Sequence, residues 1–146
     1  MNGNLLAVVR IRGIRNMDPN IKQTLEFLNL KTPNHCVLIK TTPQMQGMLA
    51  VVKDYVAFGL ITEDTVLRLL LKRGEKGSKS LKDLVKEAEL KSAAKEIFAG
   101  KKVREYANPV FRLHPPRKGY KNLKRTYPVG DLGKRDDMDI LLKKMM

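Results

Sequence analysis

Leu5-Leu6-Ala7-Val8-Val9-Arg10-Ile11-Arg12-Gly13 is the stretch on which the fold turns. Leu5, Ala7, Val9 and Ile11 alternate with Leu6, Val8, Arg10 and Arg12, a period of two that predicts a β-strand closed by Gly13. Alternation sets Arg10 and Arg12 on the side opposite Val9 and Ile11, away from a helix-covered core. Leu6 and Val8 share that side, so part of it is expected to lie under further helices. A blander use for the cations is to end an edge strand against aggregation.

Working outward, Asp18-Pro19 reads as an N-cap followed by proline at the first helical position, with Ile21, Leu25 and Leu28 on one helical face. His35 to Ile39 predicts a second strand, with His35, Val37 and Ile39 on one side and Cys36, Leu38 and Lys40 on the other. Thr42-Pro43 repeats the cap-and-proline signature ahead of Met45, Met48, Leu49 and Val52 at helical spacing. Tyr55 to Ile61, interrupted by Gly59, reads as a turn-like apolar stretch. Thr62 then caps a helix with an acidic first turn and an Arg73-Gly74 end. Lys76 to Lys79 reads as a polar hinge, and Ser80 with Asp83 resembles a capping box for helix running on towards Phe98. Val110 to His114, closed by Pro115-Pro116, is expected to return as a third strand with Phe111 and Leu113 facing the helices. Met138, Leu141, Leu142 and Met145 predict a last helix over 136–146.

These readings divide one domain into 1–61, core strands and helices, 62–108, a helical insertion, and 109–146, a last strand, basic extended segment and terminal helix. The 146 residues suit a single core, and a 42% hydrophobic content is enough to build one. No apolar run approaches the ~20 residues that cross a bilayer. The first cation, Arg10, follows Leu5–Val9, which is not the order of a secretory signal, and the single Cys36 fits a reducing cytoplasm.

The net charge of +14 calls for an anionic partner, and half of it lies in 112–135, where eight cations face one acid. These are Arg112, Arg117, Lys118, Lys121, Lys124, Arg125, Lys134 and Arg135, interleaved with His114, Tyr120 and Tyr127. Arginines pair with phosphates bidentately, glycines admit a close backbone, and rings stack on unpaired bases, so the composition suits RNA better than a membrane. A merely solvated basic tail is the competing explanation. Arg10, Arg12 and Arg15 around Gly13 form a second basic cluster.

Enzymatic signals are sparse. His35, His114 and Cys36 are the soft donors, and His35 and Cys36 point to opposite faces of one strand. Asp136, Asp137 and Asp139 start a helix whose dipole they offset, a better account than a magnesium site. Neither a phosphate loop nor a dinucleotide fingerprint occurs. A non-enzyme without metal or cofactor is expected.

The blocks LAVVRIRG (6–13), NHCVLIK (34–40), GMLAVVKDYVAFG (47–59), RLHPPRKG (112–119) and GDLGKRDDMDILLKKM (130–145) resemble, in order and spacing, the archaeal and eukaryotic type of large-subunit ribosomal protein thirty. The resemblance runs from Leu5 to Met145. It implies an α+β fold with a ferredoxin-like β-α-β-α-β core, a three-stranded antiparallel sheet, a helical insertion before the last strand and a basic C-terminal extension. It also implies a structural, non-catalytic role in the cytoplasmic large ribosomal subunit. The implied partners are large-subunit rRNA, 5S rRNA and neighbouring ribosomal proteins, with no membrane and no small-molecule substrate.

Carried onto this sequence, the family's RNA-facing positions are Arg10, Arg12, Gly13, Asn34, His35, Gln46, Gly47, Met48, Arg112, His114, Pro116, Arg117, Gly119, Lys134 and Arg135. The basic composition adds Arg15, Lys118, Tyr120, Lys121, Lys124 and Arg125. Lys118 departs from the small residue common at that place in the family, and the lysine-rich 75–105 matches no family signature. A free RNA chaperone or regulatory RNA-binding module is the alternative on composition.

Overall fold

A computed structural model describes residues 5–13, 15, 17–100, 102–106, 108–120, 122, 124–127, 129–135 and 137–146. Strand β1 (Leu5–Arg10) is the centre of the sheet, and all six of its residues are buried. It pairs antiparallel with β2 (His35–Lys40) on one side and with β3 (Val56–Leu60) on the other. Helix α1 (Pro19–Phe27) joins β1 to β2, and α2 (Pro43–Val52) joins β2 to β3. Asp18 and Thr42 cap them as the sequence predicts, their side chains accepting the backbone N–H of Asn20 and Met45.

After β3 come α3 (Glu63–Arg73), a small hairpin of β4 (Glu75–Lys76) and β5 (Lys79–Ser80), α4 (Leu81–Leu84), α5 (Glu87–Ala99) and a 3₁₀ turn at Val103–Glu105. The chain then re-enters the sheet as β6 (Val110–Arg112), antiparallel to β2. It crosses to the opposite edge as β7 (Gly133–Lys134), parallel to β3, and ends in α6 (Met138–Met145). The sheet order is β6-β2-β1-β3-β7.

The α+β architecture and mostly antiparallel sheet agree with expectation, but the sheet has five strands rather than three. The third strand of the β-α-β-α-β unit is Val56–Leu60, the stretch that read as a turn because of Gly59. That glycine serves packing: a Cβ there would stand 2.4 Å from the Arg135 carbonyl oxygen and 3.1 Å from Met138 Cβ. Val110–Arg112 is therefore an added edge strand, with Phe111 and Leu113 buried as predicted. Lys76–Lys79, read as a hinge, is the turn of the β4–β5 hairpin.

The two faces of β1 are covered in the reverse sense to the prediction. Leu6 and Val8 pack with Leu25, Leu28, Leu49 and Val52 of the α1–α2 layer. Leu5, Ala7, Val9 and Ile11 lie beneath α3, α5 and α6 through Leu69, Leu70, Ile97, Leu142 and Met145. Alternation shows that two faces exist, and both are apolar enough to be interior; which helix layer takes which face is decided by chain path. In α6 the four residues at predicted helical spacing are all buried, worth roughly 1.5–3 kcal/mol each.

Two expected caps work differently. Neither Thr62 nor Ser80 caps its helix through its own hydroxyl. At α3 the Thr62 backbone N–H donates instead to Asp139 of α6, which also receives the Thr65 hydroxyl, so a carboxylate from the last helix holds the start of the insertion.

Candidate nucleic-acid interface

Three basic positions meet where β1 ends, β2 begins and β6 ends. Register sets His35 opposite Arg112, and Arg10 flanks His35 from β1. His35 is half-buried; burial first, then Arg112 and Arg10, lowers its pKa from 6.5, so it sits neutral between two arginines at pH 7. Arg112 is exposed.

Arg10 differs from the expectation of an outward-facing contact. It is 2% exposed, with Nε donating to the Arg12 carbonyl at 3.0 Å and Nη1 to the Leu30 carbonyl at 2.9 Å. Nη2 has no partner, and burial lowers the pKa of the group. Arg10 thus ties the end of β1 to the chain leaving α1. Alternation alone could not reveal this, because the Leu6–Val8–Arg10 face is itself interior.

Arg12 is half-buried and its guanidinium lies 5.0 Å from the centre of the Tyr55 ring, a cation–π contact that fixes its direction. Gly13 and Arg15 follow on the surface. A Cβ at Gly13, or at Gly47 inside α2, would meet no atom of the described residues within 4 Å. No contact among the described residues asks for glycine at either place.

Asn34 and Tyr120 join this end of the sheet to the basic segment. Asn34 sits at φ 68°, and its side-chain oxygen accepts from the Tyr120 hydroxyl at 2.6 Å. Burial, with Asp131 nearby, pushes the Tyr120 pKa up to about 12. Tyr120 is thereby a strut of the segment and not an open stacking ring. His114 is also engaged internally, with Nδ1 2.6 Å from the Pro115 oxygen and Nε2 2.9 Å from the Met146 oxygen, while Pro116 is buried. These contacts clip the segment to α6 and leave Arg117, Lys118 and Gly119 on an exposed turn closed by Gly119 N–H to the Pro116 oxygen. Lys118 holds φ 68° there, a left-handed conformation that a side chain beyond glycine rarely adopts.

The far end of the segment is built into the fold rather than extended. Leu132, Gly130, Asp131 and Gly133 are buried, and Thr126 bridges to Leu132. Arg135, expected at the surface, is 5% exposed and bound by two carboxylates. Its Nη1 donates to Asp131 at 2.9 Å, and its Nε and Nη2 donate to Asp137 at 2.9 and 3.1 Å. Burial opposes its charge, but Asp137 and Asp131 outweigh it and raise the pKa; the guanidinium also lies 5.3 Å from the Tyr127 ring. The acids that neutralise Arg135 lie four residues before it and two after it, in a loop and at a helix start, where no regular periodicity turns them towards it.

Lys134, next to Arg135, is exposed and borders an open groove of about 450 Å³ with Gln46 and Lys53 of the α2 region over Phe58 and Leu60. The structure thus brings Gln46 and Lys134 together. It adds Lys53, which the sequence reading passed over although it lies inside the quoted block 47–59. Met48 is half-buried and packs on the core below α2. Lys124 and Arg125 are exposed. Lys121 and Asp136 lie outside the described residues. Among the described residues, Arg15, Arg112, Arg117, Lys118, Lys124, Arg125 and Lys134 form no ion pair, and no group of acidic, histidine or cysteine side chains could hold a metal. Cys36 is fully buried, which pushes its thiol up to about 12 and makes it an inert core residue. No helix among the described residues is long and apolar enough to cross a membrane.

Residues 6–56 match the family described as Ribosomal protein L30p/L7e. The large ribosomal subunit protein uL30 of Archaeoglobus fulgidus is 46% identical over 97% of this chain and 99% of its own. Proteins of the same name from Methanococcus maripaludis and Methanocella arvoryzae are 44% and 43% identical, covering 96% and 86% of this chain and 98% and 88% of theirs.

Proposed function

The chain belongs to the large ribosomal subunit protein uL30 family, and we propose that it binds large-subunit rRNA through the exposed, unpaired cations at one end of its sheet and along its C-terminal segment. It is a structural constituent of the cytoplasmic large ribosomal subunit, not an enzyme, with rRNA and neighbouring ribosomal proteins around it. The free-chaperone alternative has no observation in its favour.

The observation that carries the interface is the division of the basic residues. Arg10 donates Nε and Nη1 to backbone oxygens and Arg135 is held by two carboxylates, whereas Arg15, Arg112, Arg117, Lys118, Lys124, Arg125 and Lys134 have no carboxylate partner among the described residues. Arg12, steered by Tyr55, and the open glycines Gly13 and Gly47 extend that surface, since absence of a Cβ admits a phosphate backbone closely. Gln46 and Lys134 line its groove, and Lys121 belongs to the same basic run. The 5S rRNA is a proposed part of the RNA it meets.

Each neutralised phosphate contributes roughly −0.7 to −0.9 to the log-log salt slope of binding. Replacing Arg117, Lys118, Lys124 and Arg125 together by alanine should flatten that slope, lower incorporation into large subunits and leave the thermal midpoint nearly unchanged. Unaltered slope and incorporation would remove the segment from the interface.

A further inference from the structure

The outer edge of β2 is only half covered. Three residues of β2 are paired with β6, ending at Val37 opposite Val110. The Asn34 carbonyl accepts from Leu113 N–H on the β6 side, so alternation turns the main-chain groups of Cys36, Leu38 and Lys40 the same way. Leu38 would next face Pro109, which has no N–H to give. The chain before it is drawn off towards the β4–β5 hairpin, where Asn108 donates its N–H to the Glu75 oxygen at 2.8 Å and its side-chain amide to the Gly77 oxygen. Among the described residues, no strand pairs with the main-chain groups of Leu38 and Lys40 that point outward.

This open edge is the floor of a slot of about 380 Å³. One wall is apolar, made by Met45 and by Phe27, which is 68% exposed. The other carries Lys102 and Arg104, both exposed, beside Val103 of the 3₁₀ turn, and none of the described lining residues is acidic.

Resting on the ribosomal reading above, we infer that this slot receives a short extended segment of a neighbouring protein, added in line with β6 as a further piece of the sheet. A strand sends alternate side chains to opposite walls, so the segment that fits alternates apolar residues towards Phe27 and Met45 with acidic residues towards Lys102 and Arg104. A nucleic-acid backbone would match the cationic wall but would bury Phe27 for no return and leave the Leu38 and Lys40 groups unanswered. Three edge residues span about 10 Å, too little for tight binding alone, so the contact belongs to the assembled particle, where the partner is already held nearby.

The test uses the full-length chain assembled into large subunits, with Phe27 replaced by the photoreactive p-benzoylphenylalanine, together with amide exchange on the unmodified protein. The expected result is a cross-link to a protein segment of alternating apolar and acidic residues, with the Leu38 and Lys40 amides slowed at least tenfold relative to the free protein. The double charge reversal Lys102→Glu with Arg104→Glu should cut that cross-link at least fivefold without changing sedimentation. Cross-linking to rRNA, or Leu38 and Lys40 amides that exchange as fast as in the free protein, overturns the inference. Failure of the chain to sediment with the large subunit overturns the ribosomal reading itself, which a rRNA cross-link does not.

Discussion

The stretch 130–137 and the two short segments 10–13 and 46–48 all contain glycine and carry basic or polar side chains, yet the protein partners them differently. In the first, the inward-facing groups have internal partners. A Cβ at Gly130 would stand 2.0 Å from the Arg125 carbonyl oxygen, and Arg135 is held by Asp131 and Asp137. In the second, Gly13 and Gly47 face open space, and Arg10 keeps one buried nitrogen without a partner. A glycine or arginine in a basic protein is thus no mark of RNA contact by itself. What separates the two uses is whether the protein supplies the counter-charge and the packing atoms.

The strongest way to break this contrast is Arg135→Ala, which strands the buried Asp131 and removes the donors to both Asp137 oxygens. A loss of about 3–5 kcal/mol in urea denaturation is expected, as for one-sided removal from a buried ion pair. A loss below 1 kcal/mol would mean that the cluster is not structural. Arg10→Met should cost less, about 1–3 kcal/mol, because it leaves two carbonyls unanswered but strands no carboxylate. If the two substitutions cost the same, the distinction drawn from counter-charge fails.

Gly47→Ala sharpens the other side of the comparison. Alanine in a helix interior gains about 1 kcal/mol over glycine when nothing obstructs the Cβ. The free protein should therefore melt higher while incorporating less well into large subunits. Higher stability with normal incorporation would remove Gly47 from the interface.

The smallest effect concerns His35. Its folded pKa lies below 6.5, so the unfolded chain takes up the proton more readily. Stability from this source is intact above 6.5 and declines as the pH falls below that value towards the folded pKa. His35→Gln, which does not titrate, should show a flatter decline in urea midpoint between pH 7 and pH 5. An equal decline in both proteins would assign the acid sensitivity elsewhere.

Much of the fold was legible because its signals are local. Asp18-Pro19 and Thr42-Pro43 mark helix starts by their own hydrogen-bonding chemistry, and Met138, Leu141, Leu142 and Met145 recur at helical spacing whatever they touch. The strand Val56–Leu60 was not legible, since Gly59 looks like a turn until Arg135 and Met138 are seen pressed against it. The candidate site divides the same way. Arg112, Arg117, Lys124 and Lys134 are exposed cations in the structure, whereas Arg10, His114, Pro116 and Tyr120 are internal because Leu30, Met146 and Asn34 come to them from distant chain positions.

By itself, the amino-acid sequence determined the charge that requires an anionic partner, the caps and periodicities of the helices, the pairing faces of β1 and β2, and, through five ordered motifs, the family. These are properties of composition and short range, which survive without knowledge of the rest of the chain. Tertiary structure alone decided which helix layer covers which face of the sheet, which arginines are neutralised within the protein and which edge of β2 stays open. Those outcomes depend on how the chain path turns groups onto one another, as when Leu30 reaches Arg10 or the loop at Asp131 folds onto Arg135, and a buried charge or an unpaired strand is defined by its neighbours rather than by its own identity.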